Sequence, residues 1–132
     1  LNKKTNKLEG AFFLKKSTVD YIGVVQEIPV CFDAKETRQD KFSLDNVKAH
    51  QLSFMKDFEK QGGVSFLLIY FVEHDEVIYV RYSDIEKYIK ICKKEKRKYI
   101  TYDELDKDFS IDVKNKLTFP FLKKLEMDLD RR

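Results

Sequence analysis

Val30-Cys31-Phe32-Asp33-Ala34-Lys35-Glu36-Thr37 decides how the rest of the chain is read. Its density of β-branched and aromatic residues predicts a strand. Side chains of a strand alternate between two faces, so Asp33 and Lys35 are expected to project together. Val30, Phe32 and Ala34 would then point the other way into a core. Asp20 stands upstream at the mouth of a second strand-like run. Carboxylates with an amine alongside can hold a divalent cation and present positive charge next to it. That combination suits attack on a phosphodiester.

The surrounding sequence reads as one α/β unit without repeats, low-complexity segments or Pro/Gly-rich linkers. Residues 10–16 suggest a short strand or arm. Val19–Glu27 and Val30–Thr37 form two β-rich runs joined through Glu27-Ile28-Pro29, an expected hairpin with Pro29 in the turn. A helix is predicted next, capped by Ser43, with Leu44, Val47, Phe54, Met55 and Phe58 on one face and Gly62-Gly63 at its end. Val64–Val72 is almost uninterruptedly apolar and reads as a central strand covered on both sides. A turn at His74-Asp75-Glu76 should lead into another strand, Val77–Tyr82, paired with it. Ser83-x-x-Glu86 and Thr101-x-x-Glu104 fit the capping-box pattern of helix starts. From Ser110 onward the tail is amphipathic near Leu117–Leu125.

Composition sets bounds on this picture. The 132 residues, 42% hydrophobic with eleven Phe, suffice for one domain with a real core. The 26 basic and 23 acidic side chains leave a net charge of only +3, which does not by itself point to nucleic acid. The positive charges are clustered, however, at Lys3, Lys4, Lys7, Lys15 and Lys16, then at Lys93, Lys94, Lys96, Arg97 and Lys98. A solvated surface or a patch that follows a phosphate backbone accounts equally for each run. Cys31 and Cys92 are too few for a disulfide framework, which implies reduced thiols and a cytoplasmic location. There is no signal-peptide pattern and no apolar run of membrane-spanning length. The chain opens on Leu1 rather than Met, which implies residues upstream.

One residue breaks the pattern of the predicted helix. Gln51 lies four positions after Val47 and four before Met55, on the face that goes inward. A buried amide without partners costs about 1–3 kcal/mol, so Gln51 needs either a backbone bond or a ligand. If the helix packs on the hairpin, Gln51 arrives beside Asp20 and Asp33. His50 points about a hundred degrees away, at the helix edge or toward DNA. The acid-x-Lys pattern is common in so charged a chain and recurs at Asp112-Val113-Lys114. Only the first copy has a β-rich context, an upstream Asp and a following helix with an inward polar residue.

Taken together, Ser17-Thr18-Val19-Asp20-Tyr21-Ile22-Gly23, Phe32-Asp33-Ala34-Lys35-Glu36-Thr37, Phe42-x-Leu44, His50-Gln51-x-x-x-Met55-Lys56 and Gly62-Gly63-Val64-Ser65-Phe66 resemble the RecU-type Holliday-junction resolvases. These belong to the PD-(D/E)xK nuclease superfamily. The likeness covers residues 8–105, with the motifs in matching order. It implies an α/β fold with a mixed central β-sheet flanked by helices, a restriction-endonuclease-like core and a protruding N-terminal arm. It also implies a homodimeric endonuclease that needs Mg²⁺ or Mn²⁺, cuts branched, four-way DNA and works with recombinase or branch-migration partners. By resemblance, Thr18, Asp20, Asp33 and Gln51 are metal ligands and Lys35 stabilises the transition state, with Asp20, Asp33 and Lys35 as the catalytic set. Phe12, Phe13, Lys15 and Lys16 match the arm that enters the junction, and His50 is a further DNA-facing candidate.

The sequence departs from the family in three places. Asp33 stands where relatives carry Glu, the loop from Thr37 to Phe42 is about one residue short, and the family's N-terminal helix is expected to be absent from residues 1–132, read as a single nuclease domain. Two other readings stay open at this level: a non-catalytic module that binds branched DNA, and a related nuclease acting on linear duplex. Lys35 could also serve only as a salt-bridge partner of Asp20 or Asp33.

Overall fold

A computed structural model describes residues 19–112 and 121–132. In chain order the α-helices and strands are β1 (Tyr21–Val25), β2 (Ile28–Thr37), β3 (Lys41–Ser43), α1 (Ala49–Lys60), β4 (Val64–Phe71), β5 (Glu76–Arg81), α2 (Tyr82–Glu95), β6 (Tyr99–Thr101), β7 (Ser110–Asp112) and α3 (Leu122–Asp130). The strands form a five-stranded sheet of order β1-β2-β4-β5-β7 and a separate ribbon, β3-β6. This is the mixed α/β class expected from the sequence. The expected N-terminal arm lies outside the described residues, and among those described no helix is long and apolar enough to cross a membrane.

The chain divides into two compact units. The first runs up to Asp33 and takes in Val47–Phe66. In it β1 and β2 form an antiparallel hairpin with Val25 opposite Ile28, so the loop is only Gln26-Glu27. Both loop residues have positive φ, 49° and 71°, as the tight turn matching the twist of the strands requires. Proline, with φ locked near −65°, can occupy neither position. Pro29 therefore lies inside β2 opposite Val24 and not in the turn. Tyr21, Phe32 and Phe66 stack in sequence, with ring centres 4.7 and 4.9 Å apart.

Helix α1 begins later than the sequence predicts. Ser43 ends β3, and its Oγ accepts the Asp45 N–H at 3.3 Å, at the head of a short 3₁₀ turn, Leu44–Asn46. Pairing of Phe42 with Ile100 in the ribbon outweighs the local capping preference of Ser43. The helix ends as predicted. Gly62 takes φ +92°, which side-chain-bearing residues rarely adopt, and a Cβ at Gly63 would overlap the Phe58 ring.

The second unit comprises Ala34–Asn46 and Leu67–Arg132. Its core includes Phe42, Ile69, Phe71, Ile78, Tyr79, Ile85, Ile100 and Phe109, each at most 2% exposed. β5 pairs antiparallel with β7, and α2 packs against β5. α2 starts at Tyr82, so Ser83 sits within its first turn and is not the cap. The other predicted box holds: the Thr101 N–H donates to Glu104 Oε1 at 2.8 Å and opens a 3₁₀ turn, Tyr102–Glu104. The amphipathic tail supplies α3, whose Leu125 and Asp128 are buried.

Candidate functional site

The strand that opened the sequence reading delivers its acid to the inside. Cys31 and Asp33 are both fully buried, whereas Phe32 is half-buried and Ala34 exposed. The side expected to face a core is only partly so, with Val30 buried at 4% exposure, and the face carrying Asp33, expected to be the open one, is covered too. The reason is that a polar layer meets it there. Cys31 Sγ lies 3.2 Å from Ser65 Oγ, and the Ser65 hydroxyl donates to the Met55 carbonyl at 3.0 Å. The Ser65 N–H donates to Glu59 Oε2 at 2.6 Å. Burial pushes the Cys31 thiol up to about 12, against the lowering effect of its bond to Ser65, so it stays protonated and unreactive.

Asp33 itself is clasped by two other segments. Its Oδ1 accepts the Asp20 N–H at 2.5 Å, and its Oδ2 accepts the Gln51 Nε2–H at 2.6 Å. Gln51 is 8% exposed and uses its other end as well, since Oε1 accepts the Lys48 N–H at 3.1 Å. That bond satisfies one of the donors left over at the start of α1 and fixes the amide with its nitrogen toward Asp33. The inward polar residue predicted from helical spacing therefore does meet Asp33, and it also bonds to backbone. Two hydrogen bonds from separate segments, one to each oxygen, set the orientation of the carboxylate.

The Asp20 residue is exposed overall, while its backbone touches Asp33. Lys35, two positions beyond Asp33 on β2, shares its side of the strand by alternation and is half-buried. His50 is exposed on α1. Thr18, Phe12, Phe13, Lys15 and Lys16 lie outside the described residues. The structure thus brings the Asp20 backbone and the Gln51 side chain onto the Asp33 carboxylate.

The donor set suits one class of ion. Two carboxylates and an amide offer hard oxygens, which match Mg²⁺ or Mn²⁺ and not zinc. Among the described residues no group of three or more His, Cys, Asp or Glu side chains is placed to hold a metal, so a cage of acids alone is not present there. Gln51 would offer its oxygen to an ion at Asp33 only by turning its amide over, at the expense of the Lys48 bond.

Sequence reasoning missed the Cys31–Ser65 pair, although alternation already put Cys31 on the face of Asp33. It also missed an acid network in the second unit. The Glu76 carboxylate accepts from the Tyr102 and Ser110 hydroxyls. Burial would raise its pKa, but those bonds hold it below the usual range, and the Tyr102 phenol is pushed up to about 12 chiefly by its bond to Glu76. Asp112, of the second acid-x-Lys copy, lies opposite Glu76 on β7 and is exposed.

A sequence model of the RecU family, described as Recombination protein U, matches residues 1–127. Proteins named Holliday junction resolvase RecU from Staphylococcus aureus strains JH9, COL and MRSA252 are each 41% identical to the chain over 99 residues. The matched stretch is 74% of this chain and 48% of each relative, so the chain spans about half the length of the curated relatives it matches. With 127 of its 132 residues matched by the family model, the chain belongs to the RecU family.

Proposed function

We propose that the chain carries the nuclease centre of a Holliday-junction resolvase, acting on branched DNA as a homodimer in the cytoplasm. The observation that carries this reading is the buried Asp33 carboxylate clasped between the Asp20 backbone and the Gln51 amide. Membership of a family whose relatives are named as resolvases supports it. A structural carboxylate needs no second acid-bearing residue at its edge. Here the residue that donates to Asp33 brings a carboxylate of its own.

Asp20 and Asp33, with Gln51 and Thr18, would hold Mg²⁺ or Mn²⁺. Such an ion supplies Lewis-acid polarisation of a phosphoryl oxygen and acidifies a bound water. The chain's own part is orientation and charge. The hydrogen bonds to Asp33 remove its rotational freedom before substrate arrives, so little reorganisation is left for the reaction. Asp20, exposed, offers a carboxylate that substrate and solvent can reach. Lys35 would place an ammonium where negative charge grows on the phosphorane, a role that a compact point charge fulfils well. Symmetric cutting of a two-fold substrate calls for a two-fold dimer.

The test is cleavage of a synthetic four-way junction in Mg²⁺ or Mn²⁺, with linear duplex of the same sequence as competitor. Wild type is expected to nick the junction preferentially, and Lys35→Ala to abolish nicking with junction binding nearly intact. Equal cutting of both DNAs would reassign the chain to duplex substrates. Binding without cutting would leave it a junction-binding module.

A further inference from the structure

The basic run closing α2, and the ribbon it leads into, are not used by the Asp33 site. In the folded chain this run splits by role. Arg97 turns back and forks onto Glu104 at 2.6 and 2.7 Å while its Nε meets Glu95 at 2.8 Å, so it acts as a fastener. Lys93, Lys94, Lys96 and Lys98 stay exposed. Past Lys98, β6 pairs with β3 in the register Lys41↔Thr101, Phe42↔Ile100, Ser43↔Tyr99. Alternation sorts the ribbon: Phe42 and Ile100 are buried, at 0% and 2%, and Lys41, Ser43, Tyr99 and Thr101 take the other face.

That outer face borders a cavity of about 360 Å³ lined by Lys41, Lys98, Tyr99, Gln39, Asn46 and two hydroxyl residues. Among the described residues, none that lines it carries a carboxylate. The contrast with the cavity of about 410 Å³ at His74 is sharp, since Asp75, Glu76 and Asp112 line that one. Arg81, Arg97 and Arg131 are ion-paired, but Lys41 and Lys98 make no ion pair among the described residues. Lys41 Nζ instead lies 4.6 Å from the centre of the Tyr99 ring, and Tyr99 is 36% exposed. The Leu44 N–H bond to the Lys98 carbonyl, 2.9 Å, ties the two sides of the cavity together.

We propose that this cavity seats the sugar-phosphate backbone of a DNA arm. Lys41 and Lys98 neutralise adjacent phosphates, the Asn46 and Gln39 amides donate to phosphate oxygens, and the Tyr99 ring packs against sugar. All of these contacts go to phosphate and sugar and none to a base edge, so the seat positions DNA without choosing its sequence. The inference rests on the nuclease reading in one respect, that DNA is the polymer bound.

Fluorescence anisotropy of the full chain with a labelled four-way junction, over a KCl series, tests it. Lys41→Gln/Lys98→Gln should weaken binding about tenfold at low salt and reduce the slope of log affinity against log salt by about 2, one release per phosphate lost. Lys41→Arg/Lys98→Arg should restore the slope, and the control Lys60→Gln/Lys123→Gln should leave it nearly unchanged. A double glutamine variant with wild-type affinity and slope would overturn the seat, whether or not the chain cuts DNA. A reduced slope in a chain that never cuts would keep the seat and remove the nuclease reading. No DNA binding by wild type would remove both.

Discussion

Asp33 and Asp128 are equally sealed, at 0% and 1% exposure, and different groups reach each of them. Asp128 on α3 accepts the Tyr79 hydroxyl at 2.6 Å and takes Arg132 Nε at 3.2 Å and Nη2 at 3.4 Å, four residues on. Its charge meets a guanidinium from its own helix end, and the result is a latch between α3 and β5. Asp33 is held by a backbone N–H and an amide N–H from two other segments. Dipoles of this kind orient a carboxylate from outside its own segment. Burial alone therefore does not mark a functional acid. The identity of the groups that hold it does.

Exchanging each acid for its amide should separate the two roles. Asp33→Asn is expected to cut junction cleavage by about 10³-fold or more. It should also cost about 1–3 kcal/mol of stability, because an amide cannot accept from both Asp20 and Gln51. A junction-nicking time course and a urea melt would report the two effects. Asp128→Asn should behave conversely, losing about 2–3 kcal/mol with cleavage per folded molecule unchanged. If both variants lose the same property, the distinction drawn between these acids is wrong.

Gln51→Leu sharpens the comparison by removing the clasp and sparing the acid. It removes the bond to Asp33 Oδ2 and the bond from the Lys48 N–H together, so a loss of about 1–2 kcal/mol is expected. Cleavage should fall at least about 10- to 100-fold, because Gln51 both orients Asp33 and is among the residues proposed to hold the metal. The smallest effect belongs to a pair open to solvent. The Arg97 guanidinium holds the Glu104 carboxyl down at about 2. A depressed carboxylate pKa stabilises the fold above the ordinary carboxylate range and loses that contribution as pH falls toward 2. Acid titration of the melting temperature should show this decline in wild type and a flatter curve in Glu104→Gln. At a partly exposed pair the difference should stay below about 1 kcal/mol.

Much of this was legible in the sequence, because period and motif carry local information. The Val64 strand, the αL end of α1 at Gly62 and the Thr101 box followed from residue chemistry alone. The inward Gln51 followed from helical spacing, and its meeting with Asp33 from one assumption about packing. What escaped was set by pairing at a distance. The β3-β6 ribbon joins residues that nothing local marks as strands, and it moved the helix start from Ser43 to Ala49. That the Asp33 face of β2 is covered as well as the Val30 side escaped, because alternation gives two faces without saying how much of each is covered. Ser65 and Gln51, reaching in from β4 and α1, decide that the polar side goes inward.

The central claim is that Asp33 and its neighbours form a divalent-cation centre, and Mn²⁺ binding followed by electron paramagnetic resonance tests it most directly. Wild type should remove free Mn²⁺ signal saturably, and Asp33→Asn, shown folded by circular dichroism, should not. Undiminished Mn²⁺ uptake by the folded Asp33→Asn chain would contradict the account.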